Sequence, residues 1–287
     1  MADLTFFSKT PVVCPVCETS FHREELRTGR GRLNAGELTE ELRRTYVPSQ
    51  KFGEVFPLVY AVTVCPSCYY AAYPADFLEI PPETVQGLKA EEQRRIADAQ
   101  LLFDALDFTA PRGLQEGCAS YYLATASYER FPVEFSPTFK RGVSCLRAAW
   151  VCNDLHRKRP DDNFDYLSQL FYRKARFFYA YAIALEQNGK ETLSGAAHLG
   201  PDLDKNYGYD GILYLSGLLE YRYGPAKDNE KRKVALARAK RTVAKIFGLG
   251  KASKEKPAAI LDNARDVYDK INHELGVERK DPESELA

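Results

Sequence analysis

The sequence is poor in several features at once. Among 287 residues there is one Met, one Trp and four His. No apolar stretch approaches the roughly 18 residues of a membrane-spanning helix; the longest dense run, Phe177 to Leu185, has nine. Forty basic side chains balance 40 acidic ones, which argues against a chain-wide nucleic-acid coat and leaves local patches open. His156, His198 and His273 stand apart, with no ligand or triad companion at a recognisable spacing. There is no Gly-rich phosphate loop, no G-x-S-x-G and no H-E-x-x-H, so a non-catalytic protein is expected. The opening MADLTFFSKTP lacks the basic start, apolar run and small-residue cleavage site of a secretory signal, which predicts a cytoplasmic protein.

Cysteine is where the sequence becomes specific. In a reducing compartment seven cysteines do not make a disulfide framework. Four of them stand in VVCPVCETSF and TVCPSCYYAAY as two Cys-Pro-x-Cys pairs: Cys14 with Cys17, and Cys65 with Cys68. Each pair can turn two thiolates onto one metal, and two such turns supply the four corners of a tetrahedron, which suits one Zn²⁺. A closed four-sulfur shell leaves no position for water or substrate, so the site reads as structural. Its binding free energy becomes folding energy for a segment too small to bury its own core. Iron or a redox dithiol are the competing uses. The redox motif, however, normally opens a helix in a βαβ setting, and both pairs here sit among strand-like residues. His22 follows five residues after Cys17 and could replace one ligand; an ordinary strand residue is the plainer reading. Cys118, Cys145 and Cys152 lie on helical segments among Ala, Leu and Trp150 and read as small buried hydrophobes, Cys145 and Cys152 on one face.

The pattern along the chain predicts a mainly α protein with a small β-rich, zinc-ribbon-like module over residues 1–78, a helical domain over 79–276 and a charged tail over 277–287. The 47 residues from 18 to 64 exceed the usual ribbon loop and predict an inserted hairpin and loop, with RTGRGR as an exposed basic hairpin turn. Loss of the metal is then expected to unfold the first 80 or so residues and spare the helices. Pro82 suits the first turn of a helix running on through residue 103. Further on, Ser136 reads as an N-cap with Pro137 at the first helical position. Leu167, Phe171, Ala175, Phe178, Ala182 and Leu185 form one apolar stripe, which Gly189 should stop. Two segments carry the spacing of a tetratricopeptide second helix, Gly142-Leu146-Ala149 and Ala175-Tyr179-Ala182. Tetratricopeptide-like hairpins and a generic bundle are both compatible with this. In KRKVALARAKRTVAK, residues 231 to 245, helical spacing puts Leu236, Ala239, Val243 and Ile246 inside. Arg238, Arg241 and Lys245 fall outside, as candidate contacts for an acidic protein partner or, alternatively, for nucleic acid.

Both cysteine motifs, the LRTGRGRL between them, and the later LRAAWVC and LSGLLEYRYG resemble the bacterial family catalogued as domain of unknown function 2225, over roughly residues 5 to 247. The resemblance implies a zinc-ribbon-like head, a tetratricopeptide-like helical body and no assigned activity. Carried over residue by residue, it supports Cys14, Cys17, Cys65 and Cys68 as metal ligands and nothing catalytic. The family usually has Gly directly after the second cysteine of each pair, where this chain has Glu18 and Tyr69. A left-handed backbone at those positions would cost about 1–2 kcal/mol each, well below the worth of metal ligation.

Overall fold

In the computed structural model, residues 4–247 and 258–277 are described. Apart from Val277, the charged tail of residues 277–287 lies outside them. Strands are short and come first. β1 (Thr5–Phe7) pairs antiparallel with β4 (Glu24–Leu26), and the hairpin of β2 (Val12–Val13) and β3 (Ser20–Phe21) lies between them in sequence. β5 (Ala35–Leu38) pairs with β6 (Arg44–Tyr46), and β7 (Thr63–Val64) with β8 (Ala71–Ala72). The expected inserted hairpin is thus β5–β6. RTGRGR is not a hairpin turn but the link between two hairpins, because β4 is already paired with β1 and β5 with β6. Positive φ at Gly29, Arg30 and Gly31 turns the chain there.

The rest is helical: α1 (Pro82–Ala90), α2 (Glu92–Leu102), α3 (Leu114–Ser127), α4 (Pro137–Lys158), α5 (Phe164–Gln187), α6 (Gly208–Tyr223), α7 (Asn229–Ala244) and α8 (Ala258–Leu275). The helix expected from Pro82 through residue 103 is two helices, because Glu91 leaves helical geometry (φ −99°, ψ 7°). Gly189 ends α5 as expected, with φ +64° and the Lys190 N–H returning to Leu185 O. Ser136 does not cap α4 with its side chain. It sits in the left-handed region and its hydroxyl donates to Thr192 O, while Glu191, far along the chain, takes the cap by accepting from the Thr138 N–H (2.8 Å) and hydroxyl (2.7 Å).

Packing runs in chain order, α3 on α4, α4 on α5, then α6, α7 and α8. Glycine marks the closest approaches. A Cβ on Gly142 of α4 would stand 3.1 Å from the Tyr179 ring of α5, and one on Gly217 of α6 would stand 2.2 Å from Val243 of α7. The two spacings expected of tetratricopeptide second helices lie on consecutive helices, α4 and α5, packed against each other with no first helix between them, so they are not the second helices of two successive repeats. Cys118 of α3 and Cys152 of α4 do not behave as separate small hydrophobes. They are joined as a disulfide, their Cα atoms 5.9 Å apart across the antiparallel helix pair, while Cys145 is buried and free. That separation is within bridging range, and no local spacing announces it over 34 positions. One disulfide is not a framework, but it removes Cys118 and Cys152 from the free buried thiols. Among the described residues, no helix is long and apolar enough to cross a membrane.

Strand and helix side chains share one buried apolar cluster, in which Leu42, Val64, Tyr70 and Phe77 join Leu123, Leu146, Trp150 and Leu219. Polar contacts cross the same seam. The Ala71 N–H donates to the Ser127 hydroxyl, and the Tyr121 hydroxyl to Leu58 O. Asp76 Oδ2 accepts from both Lys140 Nζ (2.6 Å) and the Tyr128 hydroxyl (2.5 Å).

Candidate metal centre

The same turn occurs twice. In the first, the Cys14 N–H reaches Thr19 O and the Glu18 N–H reaches Cys14 O, both at 2.9 Å; in the second, the Cys65 N–H reaches Tyr70 O at 2.9 Å and the Tyr69 N–H reaches Cys65 O at 3.0 Å. The flanking hairpins, β2–β3 and β7–β8, aim the two turns at each other. Each turn places the residue after its second cysteine at positive φ, Glu18 at 62° and Tyr69 at 56°. The backbone requirement that suits glycine is therefore real here, and two L-residues meet it at a cost. Tyr69 has compensation. Its ring packs edge-on against Phe108, centroids 5.4 Å apart, and its hydroxyl donates to Leu106 O. Glu18 is exposed.

All four sulfurs lie within 4.8 Å of one another. Cys14 stands 3.7 Å from Cys68, and Cys17 3.5 Å from Cys65. Four thiolates held about 2.3 Å from one tetrahedral ion are about 3.8 Å apart, so the spacing fits a tetrahedral metal. Cys14, Cys65 and Cys68 are fully buried and Cys17 is partly exposed. Without a metal the thiols share protons unequally. Hydrogen bonds from Cys14 and then Cys68 hold the Cys65 thiol far below its ordinary value. Cys14 and Cys68 are pushed up, chiefly by the hydrogen bonds they make to Cys65 and to Cys14 respectively. A metal that draws in all four as thiolates must displace the remaining protons.

Two residues outside the motifs fix the cysteine-bearing segment to the helices. Arg95 of α2, 5 % exposed, donates from Nε (3.0 Å) and Nη2 (2.8 Å) to Cys68 O and from Nη1 to Leu88 O. It locks the second turn to the helices and brings a positive charge beside a group that would be anionic with metal bound. The other is Glu41, at the tip of the β5–β6 hairpin. Its carboxylate accepts from Trp150 Nε1 of α4, the Tyr172 hydroxyl of α5 (2.8 Å) and Arg222 Nη1 of α6 (2.7 Å). Next to it, Arg43 pairs with buried Asp154 of α4, and Glu40 pairs with Arg222 and Lys270. Nothing short-range in the sequence marks Arg95. For Glu41 there was a weak signal: a single Trp inside an apolar helix needs an acceptor for its N–H.

His22 lies just past β3 and outside the sulfur cluster, its Nδ1 2.7 Å from Ser8 O. On α7 and the turn just past it, Leu236, Ala239, Val243 and Ile246 are buried as helical spacing requires, and Arg238, Arg241 and Lys245 are exposed. These three lie on the opposite part of the molecule's helical succession from the cysteines and are not part of the centre.

No solved structure matches the chain. A bacterial protein from Borreliella burgdorferi (strain ATCC 35210 / DSM 4680 / CIP 102532 / B31), described as an uncharacterized protein, is 43 % identical over 275 residues, which is 96 % of this chain and 99 % of that relative. Residues 7–271 match the family model described as "Uncharacterized protein conserved in bacteria (DUF2225)", and with the match spanning both cysteine turns and the helical body, the chain belongs to that family.

Proposed function

We propose that the chain is a non-catalytic interaction protein of the cytoplasm. In this reading a zinc-ribbon-like module of residues 1–78 holds one structural Zn²⁺ through Cys14, Cys17, Cys65 and Cys68. The helices of residues 79–276 stack as tetratricopeptide-like hairpins and bind a protein partner, and residues 277–287 form a tail. The observation that carries the structural role is the donor set: four sulfurs within 4.8 Å, three of them fully buried, with no fifth donor in the cluster among the described residues. Bound zinc would supply a cross-link between the two turns. The chain's own part is to present four thiols on two rigid turns, to seat the Cys68 turn against Arg95 and to exclude water from three of the sulfurs.

Elemental analysis after metal-replete expression should give one zinc per chain, and Co²⁺ in its place should show the intense thiolate charge-transfer bands of a four-sulfur tetrahedral site. Less than half an equivalent of metal, or iron in place of zinc, overturns the assignment. The exposed basic face of α7 favours a second reading, a nucleic-acid-associated protein. Affinity capture from native cytoplasm separates the two: partners that survive RNase and DNase support the protein reading, and partners lost on nuclease treatment support the other.

A further inference from the structure

We propose that a groove between α5 and α7, floored by α6, is the docking site for an acidic amphipathic helix of a protein partner; this rests on the interaction reading above. Two cavities of about 400 and 270 Å³ adjoin at Glu220 and Arg238, which line both, and lie end to end along α7 as a trough. The trough follows α7 from Glu230 to Lys245, about 22 Å at the helical rise of about 1.5 Å per residue, enough for roughly four turns of a guest helix. Its apolar surface comes from Ile183 and Val234 with Pro225 at one end, and Ala180, Ala184 and Ala235 keep it shallow. Small side chains along a groove let a guest backbone approach closely, and Val234 is left 60 % exposed by the described residues.

The two carboxylates that line the trough, Glu220 and Glu230, are paired with Arg176 and Lys233, so the charge left without an ion pair there among the described residues is positive. Of the seven basic residues between 231 and 245, Lys231 pairs with Asp228 (3.1 Å), Arg232 with Glu274 (2.7 Å) and Lys233 with Glu230 (3.2 Å). Lys240 is buried against the Tyr268 ring. Arg238, Arg241 and Lys245 make no ion pair with any carboxylate among the described residues, and all three line the trough. Glu220, which shares the trough, is taken by Arg176, at 2.9 Å to each of its oxygens. A complementary guest carries apolar side chains at i, i+3, i+4 and i+7 and acidic ones on the flank facing α7. A single nucleic-acid strand fits less well, because it stacks its bases on aromatic rings and neither cavity is lined by one. The exposed aromatics Phe177 and Tyr181 stand three residues from Ala180 and Ala184 on α5 but line neither cavity.

The probe is a fluorescein-labelled 16-residue designed helix with Leu at i, i+3, i+4 and i+7 and Glu on both flanks, titrated with the full-length protein by anisotropy. A version with Lys for Glu and a 16-nucleotide single-stranded RNA are run beside it. Two variants keep the result interpretable: the triple reversal Arg238→Glu, Arg241→Glu, Lys245→Glu, and Ala184→Trp, which fills the trough at an exposed position without changing charge. Thermal melts confirm that both are folded. The Glu helix should bind, lose at least tenfold in affinity on charge reversal, lose at least tenfold with Ala184→Trp, and weaken as salt rises. The Lys helix should not bind. No saturable binding of the Glu helix up to 1 mM, which is about −4 kcal/mol, overturns the proposal. So does RNA binding that is tighter than the Glu helix and is lost on charge reversal but indifferent to Ala184→Trp. If the protein partners captured from extract are retained equally by wild type and Ala184→Trp, the trough falls while the interaction reading stands; if none is captured by wild type, the interaction reading falls with it.

Discussion

Replacing Glu41 by Ala should destabilise the whole chain, although Glu41 lies in a polar stretch of the sequence 24 residues from the nearest metal-binding cysteine. The carboxylate is 8 % exposed and accepts from Trp150, Tyr172 and Arg222. Removing it takes the acceptor from two buried donors, the Trp150 N–H and the Tyr172 hydroxyl, the second of which has Tyr223 beside it. Each orphaned donor costs about 1–3 kcal/mol. Arg222 is 35 % exposed and keeps Glu40, so its loss is screened and small. The expected sum is about 4 kcal/mol, or a fall of about 10 °C in melting temperature for a chain of this size. Glu41→Gln, which retains one acceptor oxygen, should cost about half as much. Glu40→Ala is the control. Its side chain is 46 % exposed and its pairs are with Arg222 and Lys270, so it should cost less than about 1 kcal/mol. Trp150 is the one tryptophan in the sequence, so intrinsic fluorescence reports the site directly through urea unfolding. Equal midpoints for Glu41→Ala and Glu40→Ala, or a cost below about 1 kcal/mol for the first, would refute the argument that this hairpin tip holds the helices together.

Cys65→Ser should abolish metal binding and, because Arg95 ties the second turn to α2, should loosen that helix too; limited proteolysis should yield a protected fragment starting near α3, which the Cys118–Cys152 disulfide joins to α4, and one starting near residue 80 would show instead that the head unfolds alone. Glu18→Gly should stabilise by about 1 kcal/mol, since glycine meets φ 62° without a Cβ, whereas Tyr69→Gly should destabilise because it also removes the contact with Phe108; chemical denaturation of the pair decides. Acidification should release zinc, because Cys14 and Cys68 hold their protons strongly in the metal-free fold and bound metal displaces them: affinity falls as pH falls, by at least about tenfold per pH unit. Competition with a chromophoric chelator between pH 8 and 5 measures the slope, and a flat profile would mean that thiols do not supply the ligands.

The parts of the molecule that could be read in the sequence are those governed by short spacing. The two Cys-Pro-x-Cys turns, the apolar stripe of α5, the stop at Gly189 and the inward face of α7 each depend on residues within a few positions of one another, and each lies where that spacing puts it. What could not be read depends on partners far apart in the chain. Ser136 has the right identity for a cap, but the cap is taken by Glu191, which a loop delivers from beyond the end of α5. Cys118 and Cys152 meet because α3 packs antiparallel to α4. Arg95 looks like any solvated helix charge in EEQRRIADAQ, and burial against the Cys68 carbonyl is a property of the docked helix alone. The residues after each second cysteine are an intermediate case: the departure from glycine was visible, and the structure then shows that the left-handed turn is kept despite it.

The long separation between the two cysteine pairs, which a minimal ribbon does not need, acquires a physical reason from the hairpin it contains. Cys17 and Cys65 are 48 positions apart, and the β5–β6 tip between them reaches α4, α5, α6 and α8 through Arg43, Glu41 and Glu40. A metal joining the two turns closes this segment into a loop. By the chain-entropy argument used for cross-links, closing a loop of about 48 residues removes on the order of 4 kcal/mol of unfolded-state freedom. That is the same size as the stabilisation assigned above to Glu41. The two are therefore not independent: the metal fixes the ends of the loop, and the docked tip fixes its middle. The double variant Cys65→Ser, Glu41→Ala should cost less than the sum of its parts, by about 1–3 kcal/mol, because a loop released at its ends has already lost much of the advantage of a docked tip. Strict additivity would place the cysteine module and the hairpin tip in separate folding units, and would remove the link between metal binding and the helical body.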